Sequence, residues 1–334
     1  MRRILFPLLL ILFVMPSAEA KPALIMPRQK NVSEADLLLV PILQATPPVR
    51  VAFWNVENFF YPADDSLSTY DDAYTPQGEL HWSWRRFRQK RDVIYKTLVA
   101  MELPAVVGLA EVEDSNVLNQ LCLATPLRRI PYRYIHFDSP DPRGIDCALL
   151  YRLDSFFPFQ MQPIRVSDSS TGFFTRDILL VGGVLARGDT LFVLVNHWPS
   201  KLGGADADIR REHIASRVTL TADSLLLSHP SARVVVMGDF NEQLAVGDGD
   251  GSYCFHGAWN WIDHIFVYST SCPPKTLSPV TFSNQHTSCR AFNEPWLLEA
   301  DEAYGGEKPS RTYAGPRYLG GVSDHLPVFL DLDN

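Results

Sequence analysis

The chain has 334 residues, of which 46% are hydrophobic, and a formal net charge of −8. This length suits one large α/β domain, and the apolar content is enough for a sizeable core. The acidic charge argues against a protein that captures nucleic acid by broad electrostatic attraction, although carboxylates that hold a metal ion add to the same negative sum.

The first 20 residues have the pattern of a secretory signal peptide. Arg2 and Arg3 precede a short apolar run, and Ala18-Glu19-Ala20 follows it. The run is short for a membrane-spanning helix, so we expect cleavage after Ala20 and no stable membrane anchor. The pattern predicts export to the periplasm or the extracellular space.

Residues 21–47 contain several prolines and indicate an N-terminal extension, which leaves 48–334 as the folded domain. An exported chain can form disulfides, but five cysteines leave at least one without a partner in the chain. None of them has CxxC spacing, which disfavours a zinc site. The pairing stays open for these cysteines: Cys122, Cys147, Cys254, Cys272 and Cys289.

Short apolar runs bounded by Gly, Pro, Asp or Asn recur along the chain and predict strands. These runs are 49–54, 105–109, 132–137, 145–151, 178–185, 190–196, 232–238, 261–267 and 328–332. Apolar residues at helical spacing predict helices over Arg86–Met101 and Asp206–Ser228, with Asp114–Leu121 as a shorter candidate capped by Asp114. Residues 269–322 look irregular, and a segment of that length is expected to carry function or to be fixed in place by internal cross-links. The mixture predicts layered sheets flanked by helices.

Polar side chains follow the first two runs, where layered α/β proteins carry their sites. Asn55 and Glu57 face the same side of an extended chain and could hold a phosphate oxygen and a hard cation, although the pair alone reads better as a polar turn. Glu111 follows a hydrophobic strand. A single carboxylate there is the kind of ligand that Mg²⁺ uses while it keeps most of its waters.

Later runs end in the same way. His197 could protonate a leaving oxygen, and Lys201 could neutralise a phosphate, although a lone histidine is more often structural. Asp239 and Asn241 alternate onto one face after the buried run 234–236. Asp239 could align a water, and Asn241 could bind a phosphate oxygen. Arg311 either contacts a phosphate or ties down its loop.

The last two strings are Asp263-His264 and Ser323-Asp324-His325. An aspartate can fix the tautomer of a histidine and favour its charged form near a phosphate. Asp263 and His325 are therefore predicted to pair across two strands. His264 would point to the opposite face, so we interpret it as structural.

Taken in their order along the chain, these short motifs resemble those of the endonuclease/exonuclease/phosphatase superfamily. The resemblance covers about residues 49–332. Gly238-Asp239-Phe240-Asn241 and Ser323-Asp324-His325 are the most specific, and Arg143-Gly144-Ile145-Asp146 resembles its bacterial branch. The resemblance implies a four-layer α/β sandwich, in which two mixed β-sheets pack face to face with helices on both outer faces.

The resemblance also implies roles for the site residues. The metal residues would be Glu111, Glu57, Asn55 and Asp324. The catalytic residues would be His197, Asp239, Asn241, Asp263 and His325. The residues that contact the substrate phosphate would be Asn55 and Asn241. Lys201 and Arg311 are also predicted to contact it, from the positive charge of their side chains and not from the resemblance. The implied reaction is in-line attack of water on phosphorus, with Mg²⁺ as the cofactor and Mn²⁺ or Ca²⁺ as alternatives. Whether Asp239 or His325 takes the proton of the water stays open.

The predicted function is a secreted, metal-dependent endonuclease that acts as a monomer on a phosphodiester substrate, DNA or RNA. Basic and aromatic residues near the first helix support it, although this set reads slightly better as a solvated helix face with packed tryptophans. The set is Trp82, Trp84, Arg85, Arg86, Arg88, Lys90 and Arg91. Two alternatives stay open: a sphingomyelinase-like or other small phosphodiester or phosphomonoester hydrolase, and a non-catalytic binding module on the same fold.

Overall fold

The computed structural model describes residues 48–63, 71–167, 172–201, 204–272 and 286–332. The predicted signal peptide (1–20) and N-terminal extension (21–47) lie outside these residues. No helix in the described part of the chain is both long and apolar enough to cross a membrane.

The described residues form three α-helices, and strands account for most of the remaining regular structure. The helices are α1 (Trp84–Ala100), α2 (Ser115–Leu123) and α3 (Gly204–Ser228). The strands are β1 (Val49–Phe59), β2 (Val106–Val112), β3 (Tyr132–His136), β4 (Asp146–Arg152), β5 (Phe156–Ile164), β6 (Ile178–Leu185), β7 (Thr190–His197), β8 (Arg233–Asp239), β9 (Val246–Asp248), β10 (Tyr253–Phe255), β11 (Ala258–Asn260), β12 (Asp263–Tyr268), β13 (His286–Ala291), β14 (Leu298–Ala300), β15 (Glu307–Pro309), β16 (Tyr313–Ala314), β17 (Arg317–Tyr318) and β18 (Val328–Leu332).

Two mixed sheets form the centre of the fold. The first has the order β3-β4-β2-β1-β18-β13-β9, and the second has the order β12-β8-β7-β6-β5. β1 runs parallel to β2, and β7 runs parallel to β8. β12 runs antiparallel to β8, so it begins where β8 ends. This topology brings the ends of four strands and the start of a fifth together.

Side-chain alternation along the strands produces the layers. In β1, Val51 and Phe53 point into an apolar core that also holds Val193 and Met237 of the second sheet. The neighbouring residues of β1 point the other way, as the two-residue period of a strand requires. They join a core that includes residues of α1 and α2, among them Ala52, Trp54, Phe87, Leu98 and Leu121.

The second sheet has the same arrangement on its own outer face. Leu194 and Val236 pack there against α3, whose apolar residues recur at helical spacing at Ile214, Val218 and Ala222. Helices therefore cover the outer face of each sheet, and the four-layer α/β sandwich implied by the resemblance is confirmed.

The predicted strands and helices are present, with ends displaced by a few residues. Asp114 caps α2 as predicted, because its carboxylate accepts hydrogen bonds from the Asn116 and Val117 amides. The prediction missed β5, which contains Pro158 and Pro163. Proline is tolerated there because β5 is an edge strand that pairs only with β6.

The segment predicted to be irregular is only partly so. Residues 273–285 lie outside the described part of the chain, but the remainder contributes β13 to the first sheet and forms the two hairpins β14-β15 and β16-β17. The hairpin strands have only two or three residues each, too few to give a periodic sequence signal. All five cysteines lie in described residues and none of them is in a disulfide. The described part of 269–322 is therefore held by backbone strand pairing and not by a disulfide.

Candidate active site

The site lies where the strands at the middle of both sheets end. In the second sheet, His197 pairs with Asp239 across β7 and β8, and Asp239 pairs with Asp263 across β8 and β12. In the first sheet, Asn55 pairs with Ala110 at the end of β2. The backbone registers therefore place polar residues that are far apart in the chain at one edge of the sandwich.

A break in the strand pairing aims Glu111 into the site. The pairing of β2 passes from Ala110 to Val112 against both of its neighbours, so Glu111 has no partner in either register. Its φ of 62° is left-handed, which is rare for a residue with a side chain. Such bulges re-aim side chains. The Asn58 amide, on an adjacent left-handed turn, donates to Glu111 Oε2 at 2.8 Å.

Asn55 connects the carboxylates of the two sheets. Its Nδ2 atom donates to Asp239 Oδ2 at 3.0 Å and lies 3.4 Å from Glu111 Oε1. Its backbone carbonyl accepts a 2.6 Å hydrogen bond from the Ser323 hydroxyl, and the same hydroxyl accepts from the His325 amide. The loop that carries Asp324 and His325 is therefore fastened to β1.

His325 is paired with Asp263, as predicted. Its Nδ1 atom lies 2.8 Å from Asp263 Oδ2, and both residues are buried. The Ser252 hydroxyl donates to the same oxygen at 2.6 Å. Burial alone would lower the pKa of His325, but the charges of Asp263 and Asp239 outweigh it and raise the pKa well above its ordinary value. His325 is thus held as an imidazolium.

His197 has the opposite electrostatics. Its Nε2 atom lies 3.7 Å from Glu111 Oε1 and 3.6 Å from Asp239 Oδ2. Burial, followed by the charges of Arg176 and Arg143, lowers its pKa well below its ordinary value. The site therefore pairs a neutral histidine with a charged one, on either side of Asp239.

Asp239 is buried between these two histidines. Its Oδ1 accepts from the Asn241 amide at 2.9 Å, and its Oδ2 lies 3.8 Å from His325 Nε2. Burial, with a smaller contribution from Asp263, raises the pKa of Asp239 to about 7, against the charge of His325 and the hydrogen bonds from Asn241 and Asn55, which lower it. Asn241 itself has a left-handed φ of 50° and donates from Nδ2 to the Trp198 carbonyl at 2.9 Å.

Arg311 lies between two of the predicted metal residues. Its guanidinium is 3.1 Å from Glu57 Oε1 and 3.1 Å from Asp324 Oδ2. The other Glu57 oxygen accepts from the Thr312 amide at 2.7 Å. Glu57 and Asp324 thus both lie against the Arg311 cation, whereas Glu111 is contacted by the Asn58 and Asn55 amides.

Lys201 and Lys90 both make polar contacts within the protein. Lys201 forms a 2.8 Å ion pair with Glu242, and its contact with a phosphate stays a prediction. Lys90 is buried and donates to the Glu57 carbonyl and to the Thr312 hydroxyl. Lys90 therefore stabilises the residues around Glu57 and Thr312 through buried hydrogen bonds and does not contribute to an exposed basic surface.

Most of the basic and aromatic set around α1 serves the fold. Trp82 is buried and donates to the Phe60 carbonyl. Arg86 stacks on the Tyr318 ring and donates to two backbone carbonyls, and Arg91 is buried against Asp92 and Gln120. Three members of the set remain exposed: Trp84, Arg85 and Arg88.

Three residues of the site were not predicted from the sequence: Ser252, Thr312 and Tyr253. The ring centre of Tyr253 lies 4.9 Å from that of His325. None of the three has a distinctive sequence context, since each acts through a contact between segments distant in the chain. Among the described residues, two groups of carboxylates and histidine lie close enough to hold a metal ion: Asp239 with Asp263 and His325, and His136 with Asp138 and Asp146.

Comparison with known proteins agrees with this geometry. A sequence model described as "Endonuclease/Exonuclease/phosphatase family" matches residues 50–246 and 244–334. No curated protein matches the chain.

The fold is similar to that of several solved structures. A mannosyl-6-phosphatase from Bacteroides thetaiotaomicron has a TM-score of 0.52 and 19% identity, over 86% of this chain and 100% of the other. An endonuclease/exonuclease/phosphatase family protein from the same organism has a TM-score of 0.50 and 18% identity, over 85% and 97%. TDP2 from C. elegans has a TM-score of 0.50 and 14% identity, over 84% and 74%. At these identities the similarity establishes the fold.

Proposed function

The chain belongs to the endonuclease/exonuclease/phosphatase family, and on that premise we propose that it is a divalent-metal-dependent phosphoester hydrolase. The observation that carries the proposal is the convergence of Glu111, His197 and His325 around Asp239, with Asn55 bridging the carboxylates. A carboxylate enclosed by a neutral histidine, a charged histidine and an amide suits hydrolysis at phosphorus.

The donor set supports a hard cation at Glu111. Its carboxylate is held by the Asn58 amide, and Asn55 Nδ2 contacts both this carboxylate and that of Asp239. The two carboxylates supply the oxygen atoms that Mg²⁺ prefers as ligands. When bound, Mg²⁺ (or Mn²⁺ or Ca²⁺) would supply Lewis-acid stabilisation of the phosphoryl oxygens.

The arrangement favours Asp239 as the group that takes the proton of the attacking water. The Asn241 amide and Asn55 Nδ2 fix its two oxygens. His325 is the weaker candidate, because Asp263 holds its Nδ1 and keeps the ring protonated. In this proposal His325 donates from Nε2 to a phosphoryl oxygen, and neutral His197 assists the leaving oxygen.

For the substrate, an endonuclease on DNA or RNA remains the first proposal. Trp84, Arg85 and Arg88 support it because they are exposed together on the first turns of α1. A sphingomyelinase-like or other small phosphoester hydrolase is the second proposal. It is supported by the net charge of −8 and by the structural use of Trp82 and Lys90. Export and a monomeric state are also proposed, export from the pattern of residues 2–20.

The test is a substrate panel with and without metal. Purified protein starting at residue 21 would be given single- and double-stranded DNA, RNA, sphingomyelin and a bis-aryl phosphate, each with Mg²⁺, Mn²⁺, Ca²⁺ or a chelator. Asp239→Ala should abolish turnover, and His213→Ala, at an exposed position on α3, should retain it. Turnover that persists in chelator would refute metal dependence. Cleavage of sphingomyelin but not of DNA or RNA would refute the nuclease proposal alone.

A further inference from the structure

The β10–β11 hairpin carries aromatic side chains and lies at the edge of the site, beside His325. Tyr253, the first residue of β10, packs its ring 4.9 Å from the His325 ring and forms a β-bridge with that residue. Phe255 lies two residues further along the same strand, so its side chain points to the same side as that of Tyr253. The strand therefore carries aromatic rings outward from the catalytic histidine, over roughly 7 Å between the two positions.

Three rings form a stack at the tip of this hairpin. The ring centres of Phe255 and His256 are 3.9 Å apart with an interplanar angle of 22°, and those of His256 and Tyr304 are 5.2 Å apart with an angle of 32°. Phe255 is 56% exposed and Tyr304 is 57% exposed. We call Phe255, His256 and Tyr304 the aromatic stack.

The backbone holds the aromatic stack in place. β10 and β11 are joined by His256 and Gly257, whose φ angles of 50° and 75° give the two-residue turn that a tight hairpin requires. A Cβ atom at Gly257 would lie 2.7 Å from Tyr304 Cβ, so only glycine permits this approach. The Asp301 carboxylate accepts from the Ala303 and Tyr304 amides and orders the loop that carries Tyr304.

A purely structural role does not explain these exposures. Aromatic rings that stabilise this fold are buried, as Trp82 and Phe87 are. Leaving more than half of Phe255 and Tyr304 in water forgoes the free energy that burial would give. Rigid, exposed rings that continue a line from a catalytic histidine are what a ligand ring would stack on.

We propose that the aromatic stack is a substrate subsite that binds a planar aromatic ring, such as a nucleobase, carried next to the phosphate that is cleaved. The proposal rests on the proposed phosphoester hydrolysis and narrows its substrate class. With the phosphate beside His325, the sugar lies over Tyr253 and the base stacks on the free face of Phe255, the ring of the stack that follows Tyr253 on β10. Stacking is tolerant of base identity, so the subsite selects for a ring and not for a sequence.

The test compares two substrates that differ only in their bases. One is dithymidine monophosphate, and the other is the same compound with hydrogen in place of both bases. Phe255→Ala should raise the KM for dithymidine monophosphate by about 5- to 150-fold, the cost of losing one stacked ring. KM for the abasic compound should not change. Phe255→Trp should restore the wild-type value.

The matched control is Phe157→Ala, because Phe157 is comparably exposed but lies on the edge strand β5. This variant should leave both KM values unchanged. Equal effects of Phe255→Ala on the two substrates, or no effect on either, would overturn the proposal. So would a Phe255→Ala variant that loses binding to phosphatidylcholine vesicles while both KM values stay the same, since the stack would then contact lipid.

A separate binding measurement distinguishes failure of the subsite from failure of the proposed function. If the wild-type protein cleaves neither compound, the substrate panel decides the proposed function, and the subsite is judged by calorimetric titration with thymidine 5′-monophosphate and deoxyribose 5-phosphate. Tighter binding of the nucleotide that Phe255→Ala abolishes would support the subsite. Equal binding of the two phosphates would refute it.

Discussion

The Nδ1 atom of His325 lies 2.8 Å from Oδ2 of Asp263, and neither side chain has appreciable access to solvent. The same carboxylate oxygen accepts from the Ser252 hydroxyl, so its orientation is fixed before any substrate arrives. The charge of Asp263 is the largest influence that raises the pKa of His325 against the opposing effect of burial. The protonated state of His325 therefore depends most on Asp263, the first residue of β12.

Asp263→Asn should reduce kcat by about 10²- to 10⁴-fold, the range of one general acid–base group. An amide keeps the shape but removes the charge, so the pKa of His325 should fall. Since activity needs protonated His325, the alkaline limb of the pH–rate profile should move to lower pH. Asp206→Asn, at an exposed position on α3, is the control. A profile with the same alkaline limb in the Asp263→Asn variant would contradict this coupling.

Glu111→Gln should raise the Mg²⁺ concentration for half-maximal activity and lower the maximal rate by about 10²-fold or more, because it removes one charged ligand from the cation. The glutamine can still accept from the Asn58 amide, so the bulge should survive. Metal titrations of the rate are the measurement, with Glu212→Gln on the surface of α3 as the control. An unchanged Mg²⁺ requirement would move the metal site away from Glu111.

Much of this site was predictable because strand ends carry it. Buried runs such as 234–236 end in polar residues, and the parallel pairs β1–β2 and β7–β8 bring those ends together at one edge of each sheet. These strand ends account for the proximity of Glu111 to Asp239 through Asn55. The contact between Asp263 and His325 was predicted instead from the ability of an aspartate to fix the tautomer of a histidine.

The features of the site that were not predicted are the burial of a charged side chain and the contacts that loop residues make. Charge alone does not separate buried Lys90 from its exposed neighbour Arg88. The helical spacing does, since Lys90 lies three residues after Phe87 and four before Ile94 on the buried face of α1, and the prediction did not use it. Arg311 reaches Glu57 and Asp324 through a long segment whose strands are only two or three residues long, too short for periodicity to mark them.

Lys90→Met should lower the free energy of unfolding by about 1–3 kcal/mol, because it leaves the Glu57 carbonyl without the buried donor that serves it. Urea denaturation at pH 7 measures this. Arg85→Met, an exposed substitution on the same helix, should change the value by less than about 0.5 kcal/mol. Equal stabilities for the two variants would mean that Lys90 is not a structural support.

His264 makes the stability depend on pH. Its ring is fully buried, its Nε2 lies 3.0 Å from the Trp261 carbonyl, and burial lowers its pKa to about 4 from an ordinary value of 6.5. The His264 ring therefore becomes protonated at a higher pH in the unfolded chain than in the folded chain. Stability from this residue is thus complete above pH 6.5 and is lost as the pH falls towards 4, by about 3 kcal/mol in all.

His264→Phe removes that proton-linked loss. At pH 7.5 the variant should be less stable than the wild type, because the Trp261 carbonyl loses its donor. As the pH falls to 4, the difference in the free energy of unfolding should shift by about 3 kcal/mol in favour of the variant. His197, whose pKa is also lowered, is present in both proteins, and its contribution cancels in the difference. A difference that stays constant between pH 7.5 and pH 4 would show that His264 keeps an ordinary pKa in the folded protein.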